Sequence, residues 1–209
     1  MNHLSDLSCT AFAEALAAKA SVPGGGGASA LVGALGTALC SMAGNFTIGK
    51  KKYEAYEADI QGILAECEVL RCRMLELIDA DAAGFAPLSR AYAIPREDPS
   101  RDTVMAQALV TACQAPMEMV QLCGSALLLL EQMLEKGSRL LLADVGCGAL
   151  LCRAAMESAA LSVFVNTGSL KDRELAGQME QQVENALEQY LPLADRIAAS
   201  VTAHIRKEA

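Results

Sequence analysis

The chain has 209 residues, a formal net charge of −8 and an isoelectric point near 4.8, a balance that argues against nucleic acid as a partner. Hydrophobic residues make up 53%, yet aromatics are 4% and tryptophan is absent, so Ala, Leu, Gly and Met must do the packing. Small side chains favour closely approaching helices over a sheet. A single domain over residues 1–209 is expected, and a subunit this apolar is expected to pair with a copy of itself as a homodimer.

Taken in chain order, the periodicity predicts an all-α bundle of about six to seven helices. The first covers residues 9–20 and ends before Pro23, where a Gly-rich loop, Gly24 to Gly27, begins. A second runs over 28–46. A long third spans 54–84, with Ile60, Ile63, Leu64, Cys67, Leu70, Met74, Leu77 and Ile78 on one buried face. Three prolines make 87–99 a connector. Helices follow over 100–113 and 116–135, with Pro116 in a first-turn position, then over 143–166 and 172–205, the last bent near Pro192. No alternating strand pattern exceeds about four residues.

The stretch from Ala20 to Gly49 carries no charge and is long enough to span a bilayer. It is built on Gly, Ala, Ser and Thr, however, and a buried central helix accounts for it better than a membrane span. Eight cysteines contain no Cys-x-x-Cys pair, and the only histidines, His3 and His204, lie near the chain ends. Free thiols packed as small hydrophobes in a reducing cytoplasm are therefore expected, with no metal. Residues 1–6 are polar and no short apolar block with a cleavage site follows, so no secretory leader is predicted.

Several residues carry candidate chemistry. Pro23 fixes a backbone angle and Gly24, Gly25 and Gly26 present bare backbone beside a helix start, an arrangement that binds anions or admits a flat ligand. Lys50, Lys51 and Lys52 follow the neutral helix in an otherwise acidic chain. They read either as a solvated turn or as an attractor for a carboxylate-bearing ligand. The run Gly44 to Lys50 fits the opening of a phosphate-binding loop, but Lys51 stands where Ser or Thr should hold Mg²⁺ and no strand precedes it, which argues against nucleotide hydrolysis. Asp79 and Asp81 are about 200° apart on a helix, and Asp81 continues the apolar face of Leu77 and Ile78. A carboxylate aimed inward is costly unless it is paired, caps a helix or is used. Asp144 has helix N-cap character, Asn166 suits a helix end before Gly168, and Tyr53 and Tyr56 suit either the core or stacking on a heterocycle. With no usable histidine, covalent hydrolysis is disfavoured.

Taken together, Pro23-Gly24-Gly25-Gly26, the helix after it and Gly49-Lys50-Lys51-Lys52-Tyr53 resemble the cyclodeaminase/cyclohydrolase family of folate enzymes. So do Ile78-Asp79-Ala80-Asp81-Ala82-Ala83-Gly84-Phe85, Ala143-Asp144-Val145-Gly146 and Ala160-Leu161-Ser162-Val163-Phe164-Val165-Asn166, all in order. Ser21, Gly27, Ala143 and Ser162 depart from that pattern, where Pro, Ser, Ser and Asn are usual. The resemblance implies chemistry on the one-carbon bridge of tetrahydrofolate: cyclisation of the 5-formimino form with loss of ammonia, or hydration of the 5,10-methenyl form. It implies Asp81 and Lys51 as the acid/base pair. Pro23, Gly24, Gly25, Gly26, Lys50, Tyr53, Asp79, Asp144 and Asn166 would bind the substrate, and no cofactor is implied beyond the folate itself. A non-catalytic folate-binding or helical interaction protein on the same scaffold is the alternative.

Overall fold

Helical periodicity and the small-residue core are realised in a computed structural model that describes residues 3–207. Six α-helices follow in order: α1 (Cys9–Ala17), α2 (Gly25–Asn45), α3 (Glu57–Tyr92), α4 (Arg101–Lys136), α5 (Leu142–Thr167) and α6 (Arg173–Lys207). Short 3-10 turns at Leu4–Asp6, Lys51–Tyr56 and Arg139–Leu141 join them, and no strand occurs among the described residues. Helix α2 packs between α3 and α5, α4 closes the other side against α3 and α5, and α6 lies over α5 and α4.

Close packing at the centre rests on two glycines. A Cβ on Gly36 of α2 would lie 2.9 Å from the Gly148 carbonyl oxygen of α5, and a Cβ on Gly148 would lie 2.9 Å from the Gly36 carbonyl oxygen. Only hydrogen at both positions lets the two backbones run this near each other. By length and composition α2, α4 and the segment Arg139–Thr167 are each long and apolar enough to cross a membrane; in this fold they supply most of the core. The expected inner face of α3 is observed, with Ile60, Ile63, Cys67, Met74, Leu77 and Ile78 buried and Leu64 and Leu70 partly so.

Two predicted breaks are absent. Helix α3 continues through Pro87 to Tyr92, where a connector was expected, and the two helices expected over 100–113 and 116–135 are one, with Pro116 inside it. An interior proline costs about 3 kcal/mol, whereas burying an aliphatic side chain returns about 1.5–3 kcal/mol. Beyond Pro87, Leu88 and Ala91 are buried in a second cluster with Ala108, Leu109 and Ala112; beyond Pro116, Met119 and Val120 are buried in the main core. Packing gained downstream offsets the lost backbone bond. Helix α1 ends at Ala17 rather than residue 20, and α2 begins within the glycine run, at Gly25 rather than residue 28.

All eight cysteines are free thiols. Cys40, Cys67, Cys113, Cys123 and Cys152 are buried, whereas Cys9, Cys72 and Cys147 are exposed, so packing as small hydrophobes accounts for five of them.

Candidate functional site

A helix that starts on glycine has no side chain to cap it. Gly24 is the N-cap of α2, and the first N–H groups of any helix lack an intrahelical acceptor. Asp81, reaching across from α3, sets its carboxylate at this helix start, where the Gly27 N–H favours the ionised form. Gly26 has to be glycine, because a Cβ there would overlap the Asp81 carboxylate. One carboxylate, two residues after Asp79 in the same helix, thus meets the side-chain-free loop face to face.

Around this contact lies a cleft of about 170 Å³. The loop contributes Ser21, Val22, Gly24, Gly25 and Gly26; α3 contributes Asp81 and Phe85; α4 contributes Ala112 and Pro116; α5 contributes Ser162, Val165 and Asn166. Burial pushes the Asp81 carboxyl above its usual range, and the Gly27 N–H only partly opposes this. No ion pair to Asp81 occurs among the described residues. A half-buried carboxylate without a cation of its own can stabilise a cationic ligand group or accept a proton from water held beside it. Behind the cleft wall, burial raises the Cys113 thiol to about 11, with Asn166 acting in the opposite direction.

The other residues singled out from the sequence fall elsewhere. Pro23 is buried behind the loop rather than lining the cleft, and the Val22–Pro23 peptide is cis. Lys50 and Lys51 are exposed at the far end of α2, in a separate hollow of about 520 Å³ with Gly49, Glu54 and Glu57. Helix α2 has 21 residues, which at 1.5 Å per residue puts roughly 30 Å between the lysines and Asp81. Lys51 and Asp81 of the chain therefore do not act on the same atom.

Tyr53 sits at the lysine end, its hydroxyl accepting the Arg139 N–H at 3.1 Å and its ring 5.5 Å from the Lys52 ammonium. Asp144 is in the first turn of α5, where Leu141 and not Asp144 is the N-cap, and it shares that end with Tyr53. Asn166, at the other end of α5, lines the cleft. Asp79 faces away from it and fastens the N-terminal turn, accepting Leu4 N–H at 2.7 Å, the Ser5 hydroxyl at 2.7 Å and Ser5 N–H at 3.4 Å, with His3 at 3.6 Å.

The lining residues that sequence reasoning did not select had a signal in part. Phe85 and Ser162 are one helical turn from Asp81 and Asn166, and residues four apart share a face. Ala112, Pro116 and Val165 carry no polar atom, and nothing in their own chemistry marks them. Among the described residues, no group of three or more His, Cys, Asp or Glu side chains comes together to hold a metal.

Residues 8–185 match the profile of the formiminotransferase-cyclodeaminase family. Over 198 residues the chain is 37% identical to the methenyltetrahydrofolate cyclohydrolase of Methylorubrum extorquens, covering 93% of this chain and 95% of that one. It is 25% identical to the formimidoyltransferase-cyclodeaminase of Rattus norvegicus, spanning 98% of this chain but 38% of that longer protein. Its fold superimposes on the crystal structure of formiminotetrahydrofolate cyclodeaminase from Thermotoga maritima with a TM-score of 0.89 at 26% identity, covering 97% and 100% of the two chains. With the family profile matched over most of its length and a full-length relative above one-third identity, the chain belongs to the formiminotransferase-cyclodeaminase family.

Proposed function

We propose that the chain is a folate one-carbon enzyme that acts on the N5–N10 bridge of tetrahydrofolate, hydrating the 5,10-methenyl form to the 10-formyl form. The observation that carries this reading is the Asp81 carboxylate, half-buried, without a cation of its own, and facing a loop with no side chains. The methenyl bridge is a cationic amidinium, and a carboxylate set beside it stabilises the positive charge where solvent is partly excluded. Water adds to the bridge carbon and loses a proton, for which Asp81 is the proposed acceptor; the C–N5 bond then breaks as N5 is protonated, leaving the formyl group on N10. The glycine loop lets the flat pterin approach the backbone.

Cyclisation of the 5-formimino form with release of ammonia passes through the same bridge carbon. The close superposition on the Thermotoga cyclodeaminase favours it as a second reading. In either case the protein is proposed to work as a soluble, cytoplasmic homodimer of one-domain subunits, without metal or redox cofactor. The test is to assay both reactions side by side with purified protein, following loss of the methenyl chromophore and release of ammonia. Turnover of either supports the reading. Folate binding with no turnover of either would leave a non-catalytic binding protein in its place.

A further inference from the structure

Pro87 in α3, Pro116 in α4 and Pro192 in α6 all lie inside helices. A proline has no N–H, so the carbonyl four residues earlier, at Ala83, Ala112 and Glu188 respectively, loses its helical donor. The ring also presses against that carbonyl and turns it out of the helical row of bonds. Ala83 and Glu188 are exposed, where water serves the oxygen. Ala112 differs: it is 6% exposed, and Pro116 beside it is buried. Among the described residues, no side chain and no backbone group of another element donates to the Ala112 carbonyl. A buried carbonyl left without a donor is costly.

Ala112 and Pro116 also line the Asp81 cleft. Their side chains are apolar, but the freed backbone oxygen lies on the same stripe of α4, because residues four apart share a face. The cleft is therefore the opening through which a donor reaches it. The distance from Asp81 follows from α3. A Cβ on Gly84 would lie 3.8 Å from the Ala112 Cα, and Gly84 is three residues after Asp81, about 4.5 Å along the same helix. Two acceptors, the Asp81 carboxylate and the Ala112 carbonyl, thus stand about one helical turn apart around a cleft of about 170 Å³.

We propose that the Ala112 carbonyl is a substrate-binding acceptor, held open by Pro116 and satisfied by an N–H on the flat ring of the bound folate. This rests on the proposed folate reading of the cleft. A reduced pterin carries ring N–H groups and an amino group on its edge, so it brings a donor where the helix lacks one. Any other residue at position 116 would supply its own N–H and close the helical bond from within. The missing bond also gives selectivity, since a flat ligand without a donor on that edge covers the carbonyl and leaves it unsatisfied.

Two measurements test this. Ala112–Cys113 is the only Ala–Cys peptide in the chain, so protein labelled with carbonyl-carbon-13 alanine and nitrogen-15 cysteine gives a single amide–carbonyl correlation, that of the Ala112 carbonyl. Titration with 5-formyltetrahydrofolate should shift this signal in step with calorimetric binding. The second measurement compares Pro116→Ala with a protein carrying lactic acid at position 116, introduced by nonsense suppression. The two share a methyl side chain and differ in whether position 116 has an N–H. Pro116→Ala should bind 5-formyltetrahydrofolate about tenfold more weakly than the lactate protein, about 1.4 kcal/mol, with the same helical circular dichroism. Its Ala112 signal should also move less on titration than that of the wild type. Binding that leaves the wild-type signal unmoved, or equal affinities of the two substituted proteins, overturns the acceptor and leaves the folate reading standing. If either substituted protein fails to fold, the labelled wild type decides alone. A wild type that does not bind 5-formyltetrahydrofolate overturns both.

Discussion

Replacing Asp81 with Asn separates two contributions of the same side chain. The amide keeps the shape and retains an oxygen on the side of the Gly27 N–H, so the start of α2 keeps a polar neighbour. What disappears is the charge that the proposed reading sets opposite the cationic bridge. Two unit charges about 4 Å apart at an effective dielectric constant of about 20 interact by about 4 kcal/mol. Asp81 is only half-buried, which weakens that, and a loss of about 10²-fold in turnover, about 2.7 kcal/mol, is the expected floor. Stability should move the other way. The folded-state carboxyl titrates above its reference value of 3.8, so its contribution is fully present below that pH and is lost as pH rises through the raised value. At neutral pH the wild type carries this cost and Asp81→Asn does not. The variant should melt at or above the wild-type temperature at pH 7, and the two should converge near pH 3.5. Steady-state kinetics and thermal denaturation at both pH values read the two effects. A turnover loss under tenfold would remove Asp81 from the chemistry. A lower melting temperature for the variant would show that the α2 N-terminus holds the ionised carboxylate more favourably than burial disfavours it.

Asp79→Ala should leave turnover within about twofold but cost about 1–3 kcal/mol by denaturant unfolding, since it strands the Leu4 and Ser5 donors. Burial raises the Asp79 carboxyl, but the Ser5 and Leu4 bonds and His3 outweigh it and hold it below 3.8. The stability it provides is therefore present above pH 3.8 and lost as pH falls through the depressed value, so the deficit of Asp79→Ala should shrink in acid. Gly26→Ala should abolish turnover and lower stability by about 1–3 kcal/mol, because the new methyl must displace the Asp81 carboxylate. Lys50→Ala/Lys51→Ala should raise KM for folates bearing glutamate tails, more so at low salt, with little change for a tail-less pterin; equal effects on both ligands would reduce the cluster to a solvated turn.

Much of the site was legible because helical geometry is arithmetic. The 100° step per residue separated Asp81 from Asp79 before any coordinates, and the observed partners, Gly27 for one and the N-terminal turn for the other, lie on different sides of α3. The same arithmetic, applied to length, divides the sequence-selected set. Glycine loop and lysines sit in one short stretch of sequence, but a rigid helix of 21 residues keeps sequence neighbours far apart in space. The proline breaks misled for another reason. Proline reports a local cost, whereas Leu88, Ala91, Met119 and Val120 report a packing gain that depends on helices far away in sequence. Asp144 shows the limit of cap signals, since Leu141 enters α5 from the preceding 3-10 turn as the cap and leaves Asp144 within the first turn, three residues later.

The reciprocal contact of Gly36 and Gly148 gives the helix pair a fulcrum. Gly36 lies at the middle of α2 and Gly148 about two turns into α5, with the Asp81 cleft at one end of the pair and the lysine hollow at the other. A single methyl at either position would wedge the two rods apart at their pivot and change the gap at both ends at once. Neither glycine can drift independently of the other, and sequence variation at these two positions should be locked together even though neither touches a ligand.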